Sequence, residues 1–327
     1  MMHNLSNLLD DSATSLPVAE LAGLARNFLL DAELSDRSPK TIQGERDVLE
    51  KLQWWLARRE CTACGVEELR GFFLYLQKSH TEPGGRWGNP AGTRPLKPRT
   101  IRLYFAYLRA FFNWCVAEKR LSASPLARIP KPRDPGDEVQ PFTEREVSAL
   151  LHAAEKTQEK GRDTAILLTL LDTGLRAQEL VDLKFSDVDF DQKSVRVREG
   201  KGGKGRTVYL GKRAVRALWR YTQEDGREDD DPLFCSQREG PLTYWGLRQI
   251  FRRLGKAAGV KDCHAHRMRH SFAVSFLKAG GSELALMRLL GHTTVQMSSR
   301  YVQWAQADLA EQHRAFSPAD RLKGTGK

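Results

Sequence analysis

The sequence has no long hydrophobic run. Its longest largely apolar stretch, Ala165 to Leu171, falls far short of the roughly 20 residues a membrane-spanning helix needs, so no membrane partner is expected. The opening residues, MMHNLSNLLDDSATSL, lack a basic stretch, and Asp10 and Asp11 interrupt the leucines, which does not read as a secretory signal. Cysteine is scarce. There are five, an odd number without framework spacing, which argues against a disulfide scaffold and for a reducing, cytoplasmic setting. Cys61 and Cys64 form one CxxC with no second pair, a pattern that disfavours zinc. Asp, Glu and His are not clustered with metal-ligand spacing either, which disfavours a metal-dependent nuclease, and no cofactor is implied.

What is present is charge and enough apolar mass for a core. The chain has 327 residues, 40% of them hydrophobic, which suggests two domains and excludes a wholly disordered polypeptide. Basic residues number 52 against 41 acidic, a net charge of +11, consistent with a polyanionic partner. The excess is uneven. Residues 1–50 carry four basic and nine acidic groups, whereas residues 51–137 carry sixteen and seven. A positive field on the later helices is what a phosphate-tracking surface requires.

RIPKPRDPGDE, Arg128 to Glu138, breaks every helical pattern with prolines, a glycine and mixed charges, and is expected to be a linker between residues 17–127 and 139–327. The first part reads as all helix. Apolar residues recur at helical spacing from Pro39 to Arg59, with Ser38 as N-cap and Pro39 just inside. A second helix is expected from about Arg99 to Arg120, with Ile101, Phe105, Leu108, Phe112 and Cys115 in one stripe. Both helix starts, SPKTI and KPRTI, put a basic residue and a threonine where backbone N–H groups favour an anion. Thr81 to Pro98 reads as loop or a short hairpin.

The second part mixes helices with a small antiparallel sheet. Thr143 and Glu146 form a capping box, a buried helix runs from about Arg162 to Asp172, and strands flank a glycine-rich turn with Val195 and Val197 on one face. Four short pieces here carry chemistry. In TGLRAQEL, Gly174 ends the buried helix and Arg176 and Glu179 share a face of the next turn. GKGGKGR is a cationic hairpin tip and not a Walker loop, because no helix opened by Ser or Thr comes after it. In HAHRMRHSFA, His266 and Arg269 share a helix face with His264 and His270 beside them. In LLGHTTVQMSSRYVQW, a break at Gly291, with Thr293 or Thr294 capping the next helix, lets His292 fold back toward Tyr301. Two arginines, two histidines, a lysine and a tyrosine can cleave a phosphodiester without metal, if cations neutralise the transition state and a side chain attacks.

The ordered set TGLRAQEL, GKGGKGR, HRMR, LLGH and RY resembles the tyrosine recombinase (phage integrase) family, most closely its two-domain Xer-type members, over about Pro141 to Leu309. The resemblance implies a mainly α chain: a helical, SAM-like core-binding domain, then a mixed α/β catalytic domain with a small antiparallel sheet. Tyr301 would be the nucleophile. Arg176, Arg269 and His292 would hold the non-bridging oxygens, His266 would take the tyrosine proton, and Glu179 would support the arginine. Lys201 would protonate the leaving 5′-oxygen. Lys204 is its rival and otherwise a DNA contact, but Lys201 directly follows the strand, as the family's lysine does. Lys40, Arg99 and Arg102 would be the DNA contacts of the first domain. The partner would be duplex DNA carrying a core site, bound by a homotetramer on two sites with a possible second recombinase subunit, and strands would exchange through a Holliday junction. The short stretch before the first helix suggests action on simple core sites. The His80 to Leu96 insertion, HTEPGGRWGNPAGTRPL, favours a mobile-element recombinase over chromosome-dimer resolution. The helix expected at 305–316 would pack within its own protomer or on a neighbour. A type IB topoisomerase-like relaxase and a catalytically silent DNA-binding protein are the rival readings.

Overall fold

The computed structural model describes residues 14–80, 84–133, 140–198, 205–223, 227–236, 240–292, 301 and 317. Lys201, Lys204, Thr293, Thr294, residues 134–138 of the expected linker and the expected tail helix lie outside the described residues. The chain divides into two compact units, residues 1–137 and 138–327. The fold class is mainly α with small antiparallel sheets, as the sequence implied.

Four helices make the first unit: α1 (Val18–Leu34), α2 (Pro39–Arg58), α3 (Val66–Gln77) and α4 (Pro98–Ala117). α2 starts where its sequence says it should. The Ser38 hydroxyl accepts the Thr41 N–H at 3.3 Å, and Pro39 occupies the first turn, where a missing N–H costs nothing. The expected α4 stripe is buried throughout, and Phe28, Phe72, Phe111 and Phe112 complete an aromatic core. One departure from the all-helix reading is a two-stranded pair, β1 (Leu16–Pro17) with β2 (Ala63–Cys64), in which Leu16 opposes Cys64. Strands of two residues have no periodicity to detect; their pairing is purely tertiary. Cys64 is thereby a core residue, and burial pushes its thiol far above the usual range.

The segment between α3 and α4 is pinned rather than loose. Arg86 is buried and donates to the carbonyls of Lys78 and Arg94, while Trp87 packs edge-on against Trp54 and Tyr75 at 5.6 and 5.2 Å. Truncating Trp87 to alanine should cost about 3–5 kcal/mol if the site stays rigid. Because Trp87 is only half-buried, the lower end is expected, read as a shift in the urea midpoint of the isolated variant.

The second unit holds α5 (Glu144–Glu155), α6 (Lys160–Thr173), α7 (Ala177–Val181), α8 (Lys212–Thr222), α9 (Tyr244–Ala258), α10 (Ala265–Lys278) and α11 (Glu283–Leu290). Strands β3 (Val188–Asp189), β4 (Ser194–Val197) and β5 (Arg206–Tyr209) form one antiparallel sheet in that order. Buried α6 packs against α5, α8 and α10 and acts as the unit's central post. The register pairs Val195 with Val208 and Val197 with Arg206. Cross-strand partners share a face, so the buried valines carry Arg206 inward while Arg196 and Arg198 stay exposed.

The Thr143–Glu146 capping box is present, with the Glu146 N–H donating to Thr143 Oγ1 at 3.2 Å and the Thr143 N–H to Glu146 Oε2 at 2.8 Å. Glu146 also receives Arg267 on both oxygens at 3.0 Å. Arg267 further donates to the Gln140 carbonyl at 2.8 Å and lies over the Phe142 ring. The first arginine of HRMR therefore ties down the entry to the unit and faces away from the chemistry.

Candidate active site

Three chain turns build the site. α6 ends at Gly174 in the left-handed conformation, φ +61°, and a Cβ there would stand 2.4 Å from a Phe272 ring carbon and 2.8 Å from Leu290. Only glycine meets both demands. The chain then turns so that Arg176 caps α7, its own N–H donating to Glu179 Oε2 at 2.8 Å and its Nη1 to Glu179 Oε1 at 2.7 Å. The expected Arg176–Glu179 pair is present, with Arg176 still 43% exposed at its side chain.

α11 closes at Gly291, φ +63°, and its last carbonyls are the point of convergence. Arg206 Nε donates to Leu289 O at 2.7 Å, Arg269 Nη2 to Leu290 O at 2.7 Å, and Arg176 Nη2 to Gly291 O at 3.4 Å. These carbonyls have no partner within the helix and carry the negative end of its dipole, so they are natural seats for guanidinium groups. Arg269 is buried and spends Nη1 on Gly174 O at 2.7 Å, linking the first turn to the third. Burial, reinforced by nearby Arg176, pushes its pKa down to about 10, which leaves it charged at neutral pH.

His292 Nε2 lies 3.1 Å from Arg269 Nη2. Arginine has no acceptor, so the ring nitrogen must accept, which assigns the proton of the neutral imidazole to Nδ1. The buried Tyr301 ring stacks on His292 with centroids 6.2 Å apart and planes 13° apart. The expected fold-back of His292 toward the tyrosine is therefore present.

On α10 the three histidines separate by role. His264 is the N-cap, its Nδ1 accepting the Arg267 N–H at 3.1 Å, and burial lowers its pKa. His266 is exposed, and its ring meets that of His270 at 4.5 Å. His270 is buried and meets Tyr301 at 5.3 Å. Sequence reasoning chose His266 from the His-x-x-Arg spacing and passed over His270. The signal was there: one helical turn after His266, His270 must lie on the same flank.

Arg206 was missed altogether. Its Nη1 and Nη2 donate to Glu179 Oε1 and Oε2 at 2.9 and 2.7 Å. Alternation with Val208 was the available clue. Burial works to raise the Glu179 pKa, but the Arg206 fork, the Arg176 N–H and the Arg206 charge outweigh it and carry the carboxyl down to about 2. A depressed carboxylate contributes stability that is fully present above its unfolded value, 4.5, and lost as pH falls toward 2. Denaturant titrations from pH 6 to 2 should show that loss in the wild type, and Glu179→Gln should remove this part of the acid slope.

Arg176, Glu179, Arg269, His292 and Tyr301 are thus brought together, with His266 one ring further out. Lys40, Arg99 and Arg102 are exposed within the first two turns of α2 and α4 in the first unit. No helix among the described residues is long and apolar enough to cross a membrane.

Comparison with known proteins identifies the family and the fold. Residues 140–307, just over half of the chain, match the phage integrase family. The tyrosine recombinase XerC of Corynebacterium glutamicum is 32% identical over 287 residues, 86% of each chain. The tyrosine recombinase XerD of Pseudomonas putida is 34% identical over 230 residues, 68% of this chain and 76% of that one. Among solved structures, the Tn1549 transposon integrase in complex with a circular intermediate DNA shares the fold at a TM-score of 0.68 and 20% identity, over 89% of this chain and 99% of that one. A lambda integrase dimer bound to a core site does so at 0.65 and 17%, over 85% and 96%. The chain belongs to the phage integrase family and is a tyrosine recombinase of the Xer-like type.

Proposed function

We propose that this chain cuts and rejoins duplex DNA at a specific core site, with Tyr301 as nucleophile. The observation that carries the reading is the convergence of Arg176, Arg269 and His292 on the last turn of α11, beside the Tyr301 ring. The Tyr301 oxygen attacks the scissile phosphorus, the bond from phosphorus to the 5′-oxygen breaks, and a 3′-phosphotyrosyl link forms. Arg176 and Arg269 take the non-bridging oxygens, exchanging helix carbonyls for phosphate, and His292 adds a hydrogen bond. The phenolic proton passes to the His266–His270 pair, of which His270 is the ring against the phenol. Lys201 protonates the departing 5′-oxygen. The covalent bond conserves the phosphodiester energy, so a second 5′-hydroxyl can reverse the step without ATP.

The first unit is the core-binding domain in this reading, with Lys40, Arg99 and Arg102 on the phosphates and Lys204 assisting from the hairpin. Four protomers on two sites exchange strands in two rounds through a Holliday junction. That lambda integrase is seen as a DNA-bound dimer supports an assembly of several subunits.

The test is covalent trapping. The protein is incubated, with EDTA present, with nicked duplexes made from DNA flanking its own gene, and the products are run under denaturing conditions. A protein–DNA adduct is expected, and sequencing its DNA gives the site; binding without an adduct on any fragment, even after a partner extract is added, would sink the proposal. Arg176→Ala should slow single-turnover adduct formation by about 10²–10³-fold, as for a lost oxyanion donor. A gel shift should show DNA binding largely retained.

A further inference from the structure

We propose that Arg206 is a positioning residue for this reaction, holding Glu179, and through it Arg176, against the turn that carries His292. The inference rests on the recombinase reading above and adds a residue to it.

All three guanidinium nitrogens of Arg206 donate. Nε holds the Leu289 carbonyl at 2.7 Å, and the two terminal nitrogens fork onto both oxygens of Glu179 at 2.9 and 2.7 Å. The side chain is 13% exposed and that of Glu179 10%, so the pair is shielded from water and salt. Its surroundings are fitted to it. A Cβ on Gly291 would stand 3.1–3.3 Å from the Arg206 side chain, so the left-handed glycine that closes α11 also makes room for this guanidinium. The register adds a reason for the direction. Paired with Val197 at the head of β5, Arg206 points to the inner face, where β5 meets α11.

The balance of charge explains what this does for the chemistry. Glu179 is approached by two guanidinium groups, and its Oε1 accepts from both Arg176 at 2.7 Å and Arg206 at 2.9 Å. One carboxylate against two arginines leaves a net positive charge. Because Arg206 is the shielded and bidentate partner, it neutralises Glu179, and Arg176, the exposed one, keeps its charge for a phosphate oxygen. Without Arg206, Glu179 would compete with the phosphate for Arg176, and the Leu289–His292 turn would lose one of its three cationic ties. A lysine restores the charge but not the planar fork, so the substitution separates positioning from mere electrostatics.

Single-turnover cleavage of the trapped core duplex by wild type, Arg206→Lys, Arg206→Gln, Arg176→Ala and the Arg206→Lys/Arg176→Ala double variant tests this. Arg206→Lys should cleave about 10–100-fold more slowly, by analogy with the loss of a group that orients a metal ligand. Its DNA affinity by gel shift should stay within a few-fold. The double variant should be little slower than Arg176→Ala alone, because both act on one contact. A third readout distinguishes Arg206 from the hairpin lysine. A duplex whose scissile 5′-oxygen is replaced by sulfur has a leaving group that needs no proton, so it should restore Lys201→Ala but leave the Arg206→Lys deficit in place. Wild-type rates in Arg206→Lys, additive losses in the double variant, or restoration by the sulfur substrate would each overturn the proposal. If Arg206→Lys folds poorly by thermal melt, Arg206→Gln measured per mole of folded protein carries the test, and a normal rate there overturns it equally. Absence of any wild-type adduct would fail the recombinase reading itself and take this inference with it.

Discussion

Tyr301→Phe protein should bind its core duplex like the wild type and leave no covalent adduct at all. The substitution removes one oxygen and keeps the ring that packs against His270 and His292, so the aromatic contacts at 5.3 and 6.2 Å survive. The phosphate seats also survive, because the arginines are anchored on the carbonyls of Leu289, Leu290 and Gly291. Affinity should therefore be unchanged while chemistry stops. A phenol of ordinary pKa about 10 is mostly protonated at neutral pH and needs the neighbouring histidines and a cationic field to attack. No substitute nucleophile exists at that position once the hydroxyl is gone. The comparison is a denaturing gel beside a native gel shift on the same samples. An adduct persisting in Tyr301→Phe at the wild-type rate would move the nucleophile to another residue.

The elements that could be read from sequence are those whose causes are local. Ser38 with Pro39, Thr143 with Glu146, and the glycines at 174 and 291 each set a boundary through atoms within four residues, and the structure places helix ends at all of them. The α4 stripe was legible because one face of a helix repeats every three to four residues. Arg176 and Glu179 were legible for the same reason, being i and i+3. What could not be read depends on register or on contacts between distant segments. The β1–β2 pair joins residues nearly fifty positions apart. Arg206 became part of the site only because pairing with Val197 turns it inward and α11 ends beneath it. Arg267 and Arg269 sit in the same motif and look interchangeable in a string of letters. One reaches back to Gln140 and Glu146, and the other to Gly174 and Leu290, a difference that two steps around a helix impose.

The same logic, long-range partners on one buried helix, yields the largest stability effect. Asp163 on α6 is fully buried and meets three donors: Arg162 Nε and Nη2 on Oδ1 at 3.1 and 3.0 Å, and Arg253 Nη2 on Oδ2 at 2.6 Å. Arg162 is itself 3% exposed and donates to the Cys235 carbonyl at 3.1 Å, so α6 is tied both to α9 and to the segment after Leu233. Asp163→Ala removes the carboxylate that is hydrogen-bonded to Arg162 and leaves a buried guanidinium with one carbonyl and the half-exposed Glu159 carboxylate at 3.8 Å. Breaking a buried pair from one side costs about 3–5 kcal/mol, because the remaining charge keeps its desolvation penalty. Arg253 matters less: at 45% exposure it can turn to water. The unfolding free energy of Asp163→Ala, from the urea midpoint at unchanged slope, should fall by that amount. Replacing Arg162 and Asp163 together by methionine and leucine should recover most of the loss, since an apolar pair of similar volume avoids the desolvation cost altogether. A loss under about 1 kcal/mol in the single variant would mean that water reaches Arg162, as for an exposed ion pair. Equal losses in single and double variants would mean that the network contributes net stability rather than merely holding α6, and with it the Gly174 turn, in register.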